Sequence, residues 1–305
     1  MNITAEQAER SHEDKANLTL GVSVGLTVLG FLVVTLRLWC RRLMRSLGWD
    51  DLAAVLALAG LIGCGVSIAA MTRYGLGRHE WTLSPNQLKL YGRCFWLSVL
   101  FYTTSLYWSK MAFLLQYHRI MNVSRIRWIY LASMIIVTLW GLVCFIGILT
   151  QCIPIEAVWD PTIKGKCFKN QTVMWYISAI LHIVIDFAII IMPLPIVWRL
   201  KLPLSQKILL SGIFALGFFT IAISIFRLQW LTPSKDVTWW NVTAASWSLA
   251  ELVSGIMCAC LPTYKPLLAK IKGCISHLEK GDSTLDHLKN FVDGQKFIIA
   301  FDDHD

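Results

Sequence analysis

Long uncharged apolar runs constrain this chain more than any other feature. They fall near residues 18–39, 52–72, 91–117, 128–149, 174–198, 208–230 and 242–261. Each is ~20 residues or longer, the length at which an α-helix crosses ~30 Å of hydrocarbon. Backbone N–H and C=O groups find no water there, so such runs must satisfy one another as helices. The expected fold is an all-α membrane protein, a seven-transmembrane-helix bundle over residues 18–261. Residues 1–17 form a polar leading tail, and residues 262–305 a juxtamembrane helix with a short tail. Composition agrees: 15% of residues are charged, against roughly 25% in soluble domains.

The charges supply the orientation. The net charge is +9, yet the basic residues sit in short loops between runs, which is a mark of membrane topology rather than a nucleic-acid surface. Arg41, Arg42 and Arg45 follow the first run, Arg119, Arg125 and Arg127 the third, and Arg199, Lys201 and Lys207 the fifth. The positive-inside rule places these loops and the C-terminus in the cytosol and the N-terminus outside. The N-x-S/T acceptors Asn2, Asn17, Asn170 and Asn241 all fall on the expected outer side, where glycosylation is available, and only Asn122 falls inside. No cleavable signal peptide is visible, and the first run is long enough to serve as an anchor. The location is therefore multi-pass, in the plasma membrane or an endomembrane, with the lipid bilayer as partner.

Nine cysteines show no CxxC or Cys/His spacing, so no metal site is expected. Cys152 and Cys167 bracket a loop on the oxidising face and are the favoured disulfide, with Cys94 as a rival partner. Gly21 and Gly25, and Gly60, Gly63 and Gly65, read as close helix packing. Apolar residues at 267, 268, 271, 275 and 278 between lysines suit a helix lying on the inner membrane surface.

Ionisable groups within the runs are the functional candidates, because a carboxylate at membrane depth costs roughly 2.5–3.5 kcal/mol even on lenient scales. Asp186 and Glu251 lie roughly 18 and 14 Å below the outer ends of their helices at ~1.5 Å per residue. Both are near the midplane and form a candidate acid pair, able to hold a proton for an apolar substrate. His182 precedes Asp186 by four residues and shares its face. Lys110 and Arg227 are further candidates for a ligand site. The plainer reading is structural: Lys110 paired with Glu251, Asp50 or Asp51 across helices. Trp81, Trp96, Trp159, Trp175, Trp230, Trp239, Trp240 and Trp247 all fall in outer loops or outer halves of runs. An interfacial belt explains some of them. The alternative is an outward-open pocket walled by Trp96, Trp175 and Trp247 and floored by Asp186 and Glu251, suited to a hydrophobic small molecule.

Several marks also occur together: Trp49-Asp50-Asp51 before the second run, Gly75 to His79 after it, and Lys110 through Arg119-Ile120 closing the third. Cys152-Ile153-Pro154, Trp159-Asp160 and Cys167 follow, then Asp186, Pro193, Pro195, Lys207, Arg227, Trp247, Glu251 and Leu261-Pro262. Across roughly residues 20–268 this pattern resembles the fungal rhodopsin-like seven-helix family, which includes Pth11-type receptors and SAT4-type proteins of mycotoxin gene clusters. The resemblance implies the fold and a membrane location but no single activity. It leaves three functions in view. The first is handling or acid-base transformation of a hydrophobic intermediate in secondary metabolism. The second is a G-protein-coupled sensor of a small apolar cue, and the third a transporter component. No cofactor is expected: retinal needs a lysine for its Schiff base, and the last run has none.

Overall fold

A computed structural model describes residues 12–120, 124–193, 204–231 and 236–264. Asn2, Asn122, Pro195, Cys274 and the expected juxtamembrane helix lie outside those residues. Among the described residues there are seven long helices: α1 (Ala16–Leu43), α2 (Trp49–Arg73), α3 (Pro85–Ile120), α4 (Ser124–Leu149), α5 (Gln171–Ile191), α6 (Leu204–Leu228) and α7 (Val237–Cys260). Six contain segments long and apolar enough to cross a membrane: Ala16–Leu43, Trp49–Arg73, Arg127–Leu149, Gln171–Ile191, Ser211–Leu228 and Val237–Tyr264. The protein is a helical, multi-pass membrane protein. Helix α3 is the exception in composition, since tyrosines, tryptophans, serines and threonines interrupt its apolar residues.

Position explains that exception. Helix α3 packs against α2, α4 and α7, while α1 lies on α2 and α7, and α6 joins α5 to α7. A central helix meets other helices rather than lipid, and small or polar residues let it approach them closely. The buried Ser105 hydroxyl donates to the Ala57 carbonyl at 2.8 Å, and a Cβ on Gly60 would stand 2.9 Å from Ser105 N. Gly60 is therefore the point where α2 and α3 touch by backbone. Gly21 and Gly25 do not repeat that role, because nothing lies within 4 Å of where their Cβ atoms would be. The apolar exterior carries residues such as Leu32, Val66, Leu139, Val184 and Phe219, as a lipid-facing bundle requires.

The helix ends show why the chain turns where it does. The Asp51 carboxylate accepts the Gly48 N–H at 3.0 Å, and Asp50 and Asp51 suit the positive end of α2. Helix α2 stops at a turn with Gly75 and Gly77 at φ 123° and 91°, a region glycine alone enters without strain. Ser84 and Gln87 cap α3 reciprocally, with Pro85 at its first position. Between α4 and α5, β1 (Cys152–Ile153) pairs antiparallel with β2 (Lys166–Cys167). Cys152 stands opposite Cys167, and the two form a disulfide, while Cys94 is free. In the same loop the Thr162 hydroxyl and the Lys89 ammonium hold the Asp160 carboxyl down to about 2, so this contact stays ionic through mildly acidic pH.

At the far end from this hairpin, Arg37 is fully buried. It donates to Asp51 at 2.9 Å, Asp50 at 2.6 Å, Gln116 at 2.8 Å and the Ala259 carbonyl at 2.7 Å. Arg41 and Arg119 add contacts to Asp50 at 2.6 and 3.3 Å. Thus Asp50 and Asp51 are occupied by arginines of α1 and α3, and Lys110 is not their partner. The cluster ties α1, α2, α3 and α7 together. Such a cluster is worth most when complete, since removing one partner strands a buried charge.

Candidate functional site

The helices leave a cavity of about 240 Å³ at the hairpin end of the bundle. Its lining follows helical periodicity on each contributing element. Helix α2 gives Cys64, Ile68 and Met71, helix α3 gives Phe95, Ser98, Val99 and Tyr102, and helix α7 gives Val237, Trp240, Asn241 and Ser248. Steps of three and four place each set on one face. Trp175 of α5, Arg227 of α6 and Trp230 just beyond α6 complete the wall. Phe95 stacks on Trp175 at 5.8 Å between centroids, and Trp230 meets Trp240 at 4.4 Å. Flat aromatic walls suit a largely hydrophobic ligand, and Ser98, Gln171, Thr172, Asn241 and Ser248 add polar groups to the lining.

Arg227 and Tyr102 face the cavity, and Glu251 lies behind them. The Tyr102 hydroxyl donates to Glu251 Oε2 at 2.6 Å, Arg227 Nη1 donates to the same oxygen at 3.1 Å, and the Ser224 hydroxyl donates to Oε1 at 2.5 Å. Arg227 Nη1 also donates to the Tyr102 hydroxyl. Both carboxylate oxygens are thus bonded, which is what a buried carboxylate requires. Arg227 stands in the last turn of α6 and turns inward to Glu251.

Asp186 has a separate setting. Its Oδ1 is 2.9 Å from Lys110 Nζ, which also donates to the His182 carbonyl at 3.2 Å. The pair lines a second cavity of about 50 Å³ with Ser109, Phe113, Thr220 and Cys258. Asp186 and Glu251 therefore have a cation each, and the cavity is closed by Arg227 and Tyr102 rather than by Asp186 and Glu251 directly. Lys110 pairs with Asp186, not with Glu251. His182 lies with Tyr102, Ser224, Arg227 and Glu251 around a small void of about 20 Å³. Its ring meets Trp140 edge-on at 6.3 Å, and among the described residues its buried Nδ1 has no hydrogen-bond partner.

The tryptophans divide four ways. Trp175 lines the cavity, joined by Trp230 and Trp240. Trp96 instead donates its indole N–H to the Ile148 carbonyl at 3.3 Å and leans on Trp159, fastening α3 to the end of α4. Trp247 stacks on Phe226 at 6.0 Å and does not line the cavity. Trp81 and Trp239 sandwich the buried His79, each 4.4 Å away, and His79 Nδ1 is 2.5 Å from Asp236. Of the glycan acceptors, Asn17 and Asn170 are exposed, whereas the Asn241 amide donates to the Tyr91 hydroxyl at 2.8 Å beside the cavity. Tyr102, which links cation to carboxylate, gave no sequence signal beyond lying seven residues after Phe95 on the same face.

The model of the fungal rhodopsin domain matches residues 36–270. A SAT4 family membrane protein of Emericella nidulans is 27% identical over 225 residues, covering 72% of this chain and 54% of that protein. The wortmanamides biosynthesis cluster protein C of Talaromyces wortmannii is 27% identical over 286 residues, covering 88% and 76%. Receptor GIN3 of Arthrobotrys oligospora is 26% identical over 256 residues, covering 79% and 60%. The chain spans about half the length of the SAT4 relative.

Proposed function

The chain belongs to the fungal rhodopsin domain family, and from that premise we propose that it binds a compact hydrophobic molecule within the membrane, as a participant in fungal secondary metabolism. In this reading all seven helices cross the bilayer, the hairpin end faces outward, and the Arg37 cluster lies at the cytosolic end. The carrying observation is the aromatic-walled cavity of about 240 Å³ with Tyr102, Arg227 and Glu251 at its polar end. The name of the wortmanamides cluster relative supports the metabolic setting. The reading takes no retinal, because no lysine lines the cavity and Lys110 is held by Asp186.

Acid-base transformation of the ligand is the finer part of the proposal. Tyr102 is then the group through which Glu251 acts on anything in the cavity, since its hydroxyl lies between them. Asp186 serves as a positioning residue for Lys110. The test is metabolite profiling of a deletion strain, complemented by wild type or by Trp175→Ala with Trp240→Ala. An unchanged precursor accumulates in the deletion strain, wild type removes it, and the double variant does not. An unaltered profile on deletion sinks the metabolic role.

A sensor role is the second reading, and one arrangement favours it. Helices α3 and α7 carry both Tyr102 and Glu251 at the cavity and Gln116 and Ala259 at the Arg37 cluster. Movement at the ligand can therefore reach the opposite end through two continuous helices. A relative named as a receptor is consistent with this. Ligand-dependent association with a G-protein subunit promotes the sensor reading, and a precursor-accumulating deletion strain without it favours the first.

A further inference from the structure

We propose that Arg227 reads the polar end of the ligand, and that the ligand is a flat, neutral hydrophobe ending in a carbonyl oxygen; this rests on the cavity being the binding site. Arg227 supplies a guanidinium to the cavity lining, and its side chain keeps 21% of its surface exposed. Its Nη1 is committed to the protein, donating to the Tyr102 hydroxyl and to Glu251. The Tyr102 ring covers one face of the guanidinium, with its centroid 4.1 Å from Cζ. Among the described residues, neither Nε nor Nη2 has a hydrogen-bond partner. A guanidinium carries five N–H donors in a rigid fork, so the donors on Nε and Nη2 remain for whatever occupies the cavity. Donors left unmet inside a membrane protein are costly, and an acceptor from the ligand removes that cost.

Charge decides which acceptor. Glu251 lies 3.1 Å from Arg227 and neutralises it. A ligand carboxylate would bring a second anion beside Glu251 and leave the site with an uncompensated negative charge. A ketone, aldehyde, enone or quinone oxygen accepts the same hydrogen bonds and adds no charge. Shape decides the rest. The Phe95–Trp175 stack and the Trp230–Trp240 pair offer flat apolar surfaces. At about 240 Å³ the cavity is smaller than the ~300–1,000 Å³ of drug-sized sites, so the ligand is compact.

The experiment uses the full chain in lipid nanodiscs with three matched probes: acetonaphthone, ethylnaphthalene and naphthoate. Affinity is read by calorimetry and by the shift in unfolding temperature, with empty nanodiscs subtracted. The expected result is acetonaphthone binding about tenfold tighter than ethylnaphthalene, with naphthoate no tighter than the hydrocarbon. Arg227→Met, which leaves no N–H donor there, should bring the ketone down to the hydrocarbon's affinity. Arg227→Met with Glu251→Gln removes both charges and so guards against misfolding from a stranded carboxylate, and retained hydrocarbon binding shows that the variant is folded. Equal affinity for ketone and hydrocarbon in the wild type overturns the assignment to Arg227, as does an unchanged preference in folded variants. Tightest binding of naphthoate overturns the neutral class. If none of the three probes binds, or if Trp175→Ala with Trp240→Ala leaves all three affinities intact, the cavity itself is the wrong site.

Discussion

Lys110 and Asp186 make each other tolerable inside the bundle. Asp186→Asn keeps the shape but removes the counter-ion of a lysine whose side chain is 6% exposed. Breaking a buried pair in this way costs about 3–5 kcal/mol. Lys110→Met with Asp186→Leu should recover most of that loss, because two well-packed apolar residues replace the pair at little net cost. Thermal unfolding of the two single variants and the double in nanodiscs gives the coupling; a stable Asp186→Asn protein would argue against the pair as a structural element. The candidate charges were legible in the sequence because an ionisable residue in an apolar run stands out. Their partners were not. Helical periodicity tells which face Asp186 occupies but not which of Lys110 or Arg227 stands opposite, since that depends on the rotation of three helices. Arg37 was missed because it lies at the edge of the first run beside Arg41 and Arg42 and reads as part of a basic loop. Its spacing of four from Arg41, facing Asp50 and Asp51 across a short turn, was the available signal.

At the scale of helices and strands, the sequence was informative about existence and poor about packing. Apolar length marked each helix, and the expected hairpin cysteines are joined. The glycines show the gap. Gly25 belongs to a G-x-x-x-G and Gly60 does not, yet Gly60 meets Ser105 and Gly25 meets nothing. The motif records the absence of side chains, whereas contact depends on which face the neighbouring helix covers. Gly60→Ala should therefore separate α2 from α3 and lower stability by about 1–3 kcal/mol, the usual cost of overpacking. Gly25→Ala should leave the unfolding temperature unchanged. A neutral Gly60→Ala would mean that α2 and α3 can slide apart without consequence. The tryptophans teach the same lesson: Trp175 and Trp247 looked equivalent in the sequence, but the first turns into the cavity and the second lies against Phe226.

For the whole molecule, the proposed orientation puts the hairpin outside, and glycan mapping tests it. Asn170 is exposed beside the hairpin, so Asn170→Gln should remove one glycosidase-sensitive shift in mobility. Asn241→Gln should remove none, because that amide is already bonded to Tyr91. A shift arising from Asn122 instead would invert the molecule. The central place of α3 has a consequence for biogenesis. Its aromatic and hydroxyl-rich composition fits it for contact with α2, α4 and α7, and for the same reason it is a poor substrate for release into lipid alone. During synthesis α3 should leave the translocon only in company, held near the channel until α2 or α4 can screen it. Fused singly to an insertion reporter, α3 should pass through the membrane in a large fraction of chains, whereas an α2–α3–α4 fusion should integrate. Assembly of this protein would then be ordered from the middle outward, with the least lipid-like helix setting the schedule for the rest.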